Sequence, residues 1–101
     1  MSEEELVERI GALCERYGLR WAHFNIVYRG RRSLHGCYGY PDLTIAGPRG
    51  VIFRECKAQS TLRPDQRRWR DMLRRSGQDW EVWRPIDLAT GRVEKELAAI
   101  A

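Results

Sequence analysis

The sequence has no apolar run approaching membrane-spanning length, no leader pattern and almost no lysine. Without such a run, no spanning helix is expected. The opening "MSEEELVERI" is acidic, the reverse of a positively charged leader, so the expected location is the cytoplasm. Cysteine is scarce and odd in number: Cys14, Cys37 and Cys56 stand far apart and predict reduced thiols, not a disulfide framework. No glycine-rich phosphate loop is present, which excludes ATP chemistry of that type. His35 with Cys37 lacks the two further ligands that a zinc site needs, and His23 reads as an ordinary sheet residue. No repeat, linker or low-complexity segment divides the chain, so its 101 residues are expected to form one small domain, 1–101, and the tryptophans and tyrosines argue for a folded core.

What the sequence does have is arginine. Of the 18 cations only Lys57 and Lys95 are lysine. Positive charge gathers in two blocks, residues 19–40 and residues 63–75, each with a net charge of +4, while the first 18 residues are net acidic. Guanidinium groups suit bidentate contact with phosphate, which makes nucleic acid the expected partner. The alternative is an arginine-rich surface that is simply solvated.

Ser2 followed by Glu5 is a capping box, and it predicts a helix from Glu3 to about Gly18. Leu6, Ile10, Leu13, Cys14 and Tyr17 form its apolar stripe. Glu3 shares that stripe, where an acid also favours the helix dipole. "RWAHFNIVY" reads as a strand, "RGRRSLHGCYG" as a loop, and "DLTIA" and "VIFRECK" as two strands joined by the turn "GPRG". A second helix is expected from Pro64 to Ser76, with proline at its start and Gly77 past its end. "DWEVWRP" gives a fourth strand stopped by Pro85, and Val93 to Ile100 a last helix. The order α-β-β-β-α-β-α predicts an α/β fold, a mixed sheet flanked by helices.

The hairpin holds two acids in strand-like sequence. Counting outward from a Gly47–Gly50 turn pairs Ala46 with Val51 and places Asp42 opposite Glu55. Cross-strand neighbours have Cβ atoms roughly 4.5–5.5 Å apart, a distance at which two carboxylates repel unless a cation lies between them. Oxygen ligands select Mg²⁺ or Mn²⁺. Lys57 lies on the same face, about 7 Å further along the strand, where its ammonium could support charge on a phosphate under attack. The alternative is an ordinary Glu–Lys pair on a solvated face. Against that, Val51 and Phe53 share the face, which reads as core running into a cleft.

The ordered set "GYPDL", "RECK", "LRPDQ" and "VWRP" resembles the PD-(D/E)xK nucleases, and most closely their VRR-NUC group, over about Ser2 to Pro85. The resemblance implies a restriction-endonuclease-like fold and Mg²⁺-dependent cleavage of DNA. It implies metal ligation by Asp42, Glu55 and the backbone carbonyl of Cys56, with Lys57 positioning or activating water. Gln66 matches the family's helix glutamine, and its first-helix glutamate falls on Glu3, with Glu5 as the fallback. Small members of this kind are similar to Holliday-junction resolvases, which implies branched DNA as substrate and a homodimer. The chain departs from the pattern at Val7, where glutamine is usual, and at Arg63, where a capping Ser or Thr is usual and Thr61 is the substitute. A non-catalytic basic nucleic-acid-binding module is the reading of a different class.

Gln66, Trp69 and Leu73 share one helix face, so Gln66 is expected to point inward and to need hydrogen-bond partners. Arg67, Arg70 and Arg74 form a stripe that could track a DNA strand, and Arg31 and Arg32 could grip phosphates beside the cut. Each arginine is equally an ordinary solvated cation. Cys56 reads as a small buried apolar residue. Trp80 and Trp83 are read as sharing one face of the last strand, in the core or at a dimer surface.

Overall fold

The computed structural model describes residues 1–24 and 38–101. Helix α1 spans Glu3–Arg16, strand β1 Arg20–His23, β2 Leu43–Gly47, β3 Gly50–Cys56, α2 Pro64–Arg75, β4 Asp79–Trp83, α3 Pro85–Ala89 and α4 Arg92–Ile100. The four strands form one mixed sheet in the order β1-β2-β3-β4, antiparallel except for the parallel β3–β4 pair. A parallel neighbour needs a crossover, and α2 supplies it.

The start of α1 is the expected box. Ser2 Oγ accepts from the Glu5 N–H at 3.0 Å, and Glu5 Oε1 accepts from the Ser2 N–H at 3.3 Å. Leu6, Ile10 and Cys14 are buried as read, and Val7 and Gly11 widen the stripe. Gly11 has a close-packing role, because a Cβ there would overlap the Trp21 ring. Leu43, Ile45, Ile52 and Trp83 from the sheet meet this helix and the inner face of α4 in a single core. Burial pushes the Cys14 thiol up to about 11 and raises that of Cys56 as well. Both are free thiols.

Three expectations need correction. Pro85 stops β4 but also opens a short helix, α3, so the order is α-β-β-β-α-β-α-α. Its cap is Asp87 Oδ2, which accepts from the Arg84 N–H at 2.7 Å; a proline at the first helical position needs no N–H partner. Trp80 and Trp83 stand three apart, an odd spacing that sends them to opposite faces of a strand. Trp83 enters the core, while Trp80 lies under α2 with the Arg74 guanidinium 5.2 Å from its ring centre. The face holding Val51 and Phe53 is not the core either: Val51 is exposed, and the core lies behind, on the Ile52 and Cys56 side. The strand expected from Arg20 ends at His23, and its continuation Asn25–Tyr28 lies outside the described residues.

On the core face, Arg54 is buried. Its Nη1 donates to the carbonyls of Phe53 and Asp79, both at 2.9 Å, and stands 3.0 Å from Asp79 Oδ1. Nε and Nη2 reach Glu96 Oε1, which also accepts from Trp83 Nε1 at 2.9 Å. Arg92 closes the cluster at 2.7 Å from Glu96 Oε2. Burial alone would raise the Glu96 carboxyl, but the bonds from Arg92, Arg54 and Trp83 outweigh it and hold the group low. This cluster ties α4 to β3 and to the edge strand β4.

Candidate metal and phosphodiester site

The hairpin register is the one counted from the turn: Gly47 pairs with Gly50, Ala46 with Val51 and Leu43 with Arg54. One step beyond β2, Asp42 therefore falls opposite Glu55. Its Oδ2 accepts from the Cys56 N–H at 2.8 Å, and its carbonyl accepts from the Phe24 N–H at 2.8 Å. Both bonds fix Asp42 against the strands on either side.

Glu55 is 1% exposed, and its Oε2 is buried without a hydrogen-bond partner among the described residues. Burial first, then the hydrogen bond and the charge of Asp42, push its carboxyl up to about 10, while Lys57 and Arg63 pull the other way. A buried carboxylate oxygen with no donor, facing a second carboxylate, is costly as it stands. Lys57 is buried beside it, with its backbone N–H bonded to the Trp83 carbonyl at 3.1 Å.

These groups open onto a cavity of about 260 Å³ at the end of the sheet, where the first turns of α1 and α2 come together. Glu3, Asp42, Glu55, Lys57 and Gln66 all line it. By spacing Glu3 shares the apolar stripe, but it is exposed, on the cavity wall, at the first residue of α1. Glu5 is committed to the capping box and does not line the cavity.

Gln66 is buried as expected, but its oxygen is engaged locally, since Oε1 accepts from the Arg63 N–H at 2.9 Å. An arginine has no acceptor with which to cap the helix in return, and Thr61 makes no such bond, so Gln66 supplies only the reciprocal half of a capping box. Its NH₂ group, purely a donor, is the remaining polar end. Gly39 brings the chain to this helix. Its φ is +80°, and a Cβ there would overlap the backbone of Asp65 and Gln66, so only glycine allows the Tyr40-Pro41-Asp42 segment to lie so close.

The sequence reading missed Arg63, Ser60, Phe24 and Tyr40, which also line the cavity. Nothing in their spacing marked them, since each comes from a loop or an element end whose path only the fold defines.

The arginine stripe of α2 is not a free row. Arg70 Nε bonds Asp71 at 2.8 Å and holds that carboxyl below its ordinary value. Arg74 bonds Glu81 at 2.9 Å and covers Trp80. Arg67 Nη1 donates to the Leu62 carbonyl at 2.7 Å while remaining exposed near the cavity end of the helix. Arg31, Arg32, His35 and Cys37 lie outside the described residues.

Among the described residues no group of three or more His, Cys, Asp or Glu side chains is gathered around one point. The donor set is two carboxylates, and that set suits a hard divalent cation that keeps several waters better than it suits zinc. The unpartnered Glu55 Oε2 is the atom such a cation would satisfy. No helix among the described residues is long and apolar enough to cross a membrane. Comparison with family models, characterised proteins and solved structures found no match.

Proposed function

We propose that the chain is a Mg²⁺- or Mn²⁺-dependent DNA endonuclease with a restriction-endonuclease-like fold. The observation that carries the reading is the buried, unpartnered carboxylate oxygen of Glu55 facing Asp42, with Lys57 and Gln66 on the same cavity. The resemblance of "GYPDL…RECK…LRPDQ" to the VRR-NUC group supports DNA as the substrate. So does the basic charge of the chain, +4 overall.

In this reading Asp42 and Glu55 hold the cation, with the Cys56 carbonyl as the further protein ligand. When bound, the cation lowers the pKa of water and polarises a phosphoryl oxygen. Lys57 supports the negative charge that builds on the phosphate, and the Gln66 NH₂ donates to a phosphate oxygen or to the incoming water. Glu3 adds a third carboxylate on the wall. Water oxygen bonds to phosphorus as one phosphorus–oxygen bond to sugar breaks, leaving a phosphomonoester and a hydroxyl. Two acids and one lysine perform this with little surface left for reading a long base sequence. Recognition of DNA structure, in junctions or other branches, fits that economy, as does action by a homodimer in the cytoplasm of a bacterial or phage-infected cell.

The test is incubation of four-way, flapped and linear DNA with the protein, with Mg²⁺ or with EDTA. Wild type is expected to cut a branched substrate only with Mg²⁺, and Asp42→Ala to bind that DNA but lose cleavage. Binding by both proteins with no cutting of any substrate would leave the non-catalytic basic module as the function.

A further inference from the structure

The side chains lining the cavity are charged or polar except at two rings, Phe24 and Tyr40. Phe24 is 39% exposed and takes no part in the core. Its position is nevertheless fixed. The backbone N–H of Phe24 is bonded to the carbonyl of Asp42, the residue that supplies one of the two facing carboxylates. Its ring meets Tyr40 edge-on, with centroids 5.5 Å apart, and Tyr40 meets Trp69 of α2 in the same way at 5.0 Å. The Tyr40 hydroxyl shares a hydrogen bond with the Thr44 hydroxyl at 3.1 Å, which sets the middle ring. Three rings thus run from α2 to the rim of the cavity, and the outermost is held from behind and open to water.

The carboxylates, Lys57 and Gln66 suit a metal ion and a phosphate, and apart from the Arg63 guanidinium, which is paired with Asp65, no polar group of the cavity suits the flat face of a base. An exposed aromatic ring does, and it does so for any base, because every base has a π-face. We propose that Phe24 is the stacking platform for an unpaired nucleobase beside the scissile phosphate. A base inside a continuous duplex is already stacked on both sides and must be extruded to reach a wall ring. The platform therefore selects DNA that presents an unpaired nucleotide, at a flap or junction, over uninterrupted duplex. This inference rests on the nuclease reading for its phosphate, and it deepens that reading by naming the substrate feature.

The experiment uses a flapped oligonucleotide carrying 5-iodouracil at successive positions across the single-strand boundary, irradiated with the metal-free protein. An adduct on Phe24 is expected at the unpaired nucleotide next to the boundary and not at paired positions. Phe24→Leu keeps apolar volume at an exposed site, so it folds, and it is expected to lose the adduct. In Mg²⁺, Phe24→Leu should cut the flap about tenfold more slowly or worse. Removing the base at that nucleotide should cost wild type the same factor and cost the variant nothing further. Adducts on other residues only, no adduct at any position, or wild-type flap cleavage by Phe24→Leu would each overturn the proposal. If wild type cuts no DNA at all, the nuclease reading falls, while the adduct still decides whether this ring meets a base.

Discussion

Glu55→Gln is expected to abolish Mg²⁺-dependent cleavage and, at the same time, to make the metal-free protein more stable. The two effects have one cause. In the proposed site the Glu55 carboxyl awaits a cation; without one, burial and Asp42 oblige it to keep a proton at neutral pH, at a cost to folding. An amide of the same size needs no such proton and offers Asp42 an N–H. The rate should fall by about a hundredfold or more, the scale for losing a principal electrostatic contributor at such a centre. Stability at neutral pH should rise by about 1–3 kcal/mol, the scale of an unsatisfied buried polar group.

The pH dependence separates this from a general effect. The folded-state pKa of Glu55 lies near 10, above the ordinary carboxyl value, because of burial and Asp42. Between those values the folded protein keeps a proton that the unfolded chain releases. The stabilising contribution is thus complete below the unfolded pKa of about 4.3 and is lost as pH rises toward 10. The melting temperature of metal-free wild type should fall from about pH 5 to about pH 8, and Glu55→Gln should show a flatter profile. Mg²⁺ or Mn²⁺ binds the deprotonated pair, so it should raise the wild-type melting temperature more at the higher pH and leave the variant unmoved. Matching pH profiles for the two proteins, with equal metal shifts, would remove Glu55 from the site.

The largest loss of stability is expected at Arg54→Ala. Arg54 is 1% exposed and binds two backbone carbonyls, Glu96 and Asp79, with its guanidinium 5.0 Å from the Trp83 ring centre. Alanine leaves the carbonyls and Glu96 Oε1 short of donors and removes the packing against Trp83. Breaking a buried pair from one side costs about 3–5 kcal/mol. Asp79 is largely exposed and Glu96 partly so, which puts the expectation at the low end, about 3 kcal/mol. For a domain of this size that is a fall in melting temperature on the order of 15 °C. Replacing both ends, Arg54→Met with Glu96→Leu, should recover only part of it, because the Glu96 charge is no longer stranded while the two carbonyls and Trp83 Nε1 still lack partners. Thermal denaturation followed by circular dichroism decides the matter: an Arg54→Ala protein melting close to wild type would mean the cluster is ornamental.

The hairpin was readable from the sequence because its turn is short and strand side chains alternate strictly, so "GPRG" alone set Ala46 against Val51 and Asp42 against Glu55. The first helix was readable because its cap and its stripe agree. Arg54 was not, since it follows the apolar alternation of Ile52 and Cys56 and nothing local reveals that Glu96, 42 residues on, returns to meet it. The same limit hid Phe24, which becomes part of the cavity only when Tyr40 and Trp69 arrive from other elements. The misread pair Trp80 and Trp83 was a matter of parity, and α3 was lost because a proline that ends a strand can equally begin a helix.

The turn at Gly47–Gly50 also has a kinetic consequence. It closes over a few residues, whereas Glu3 and Gln66 come to the cavity from distant segments. Local closures are fast, and long-range docking follows. Asp42 and Glu55 therefore confront one another as soon as the hairpin zips, before either helix arrives. The share of the cost that comes from Asp42 is thus met early, while the larger share, burial, comes when the helices dock, so a chevron for Glu55→Gln should divide its gain between the folding and unfolding limbs, with φ well below 1. The chain accepts slower folding in return for the pair of acids it keeps.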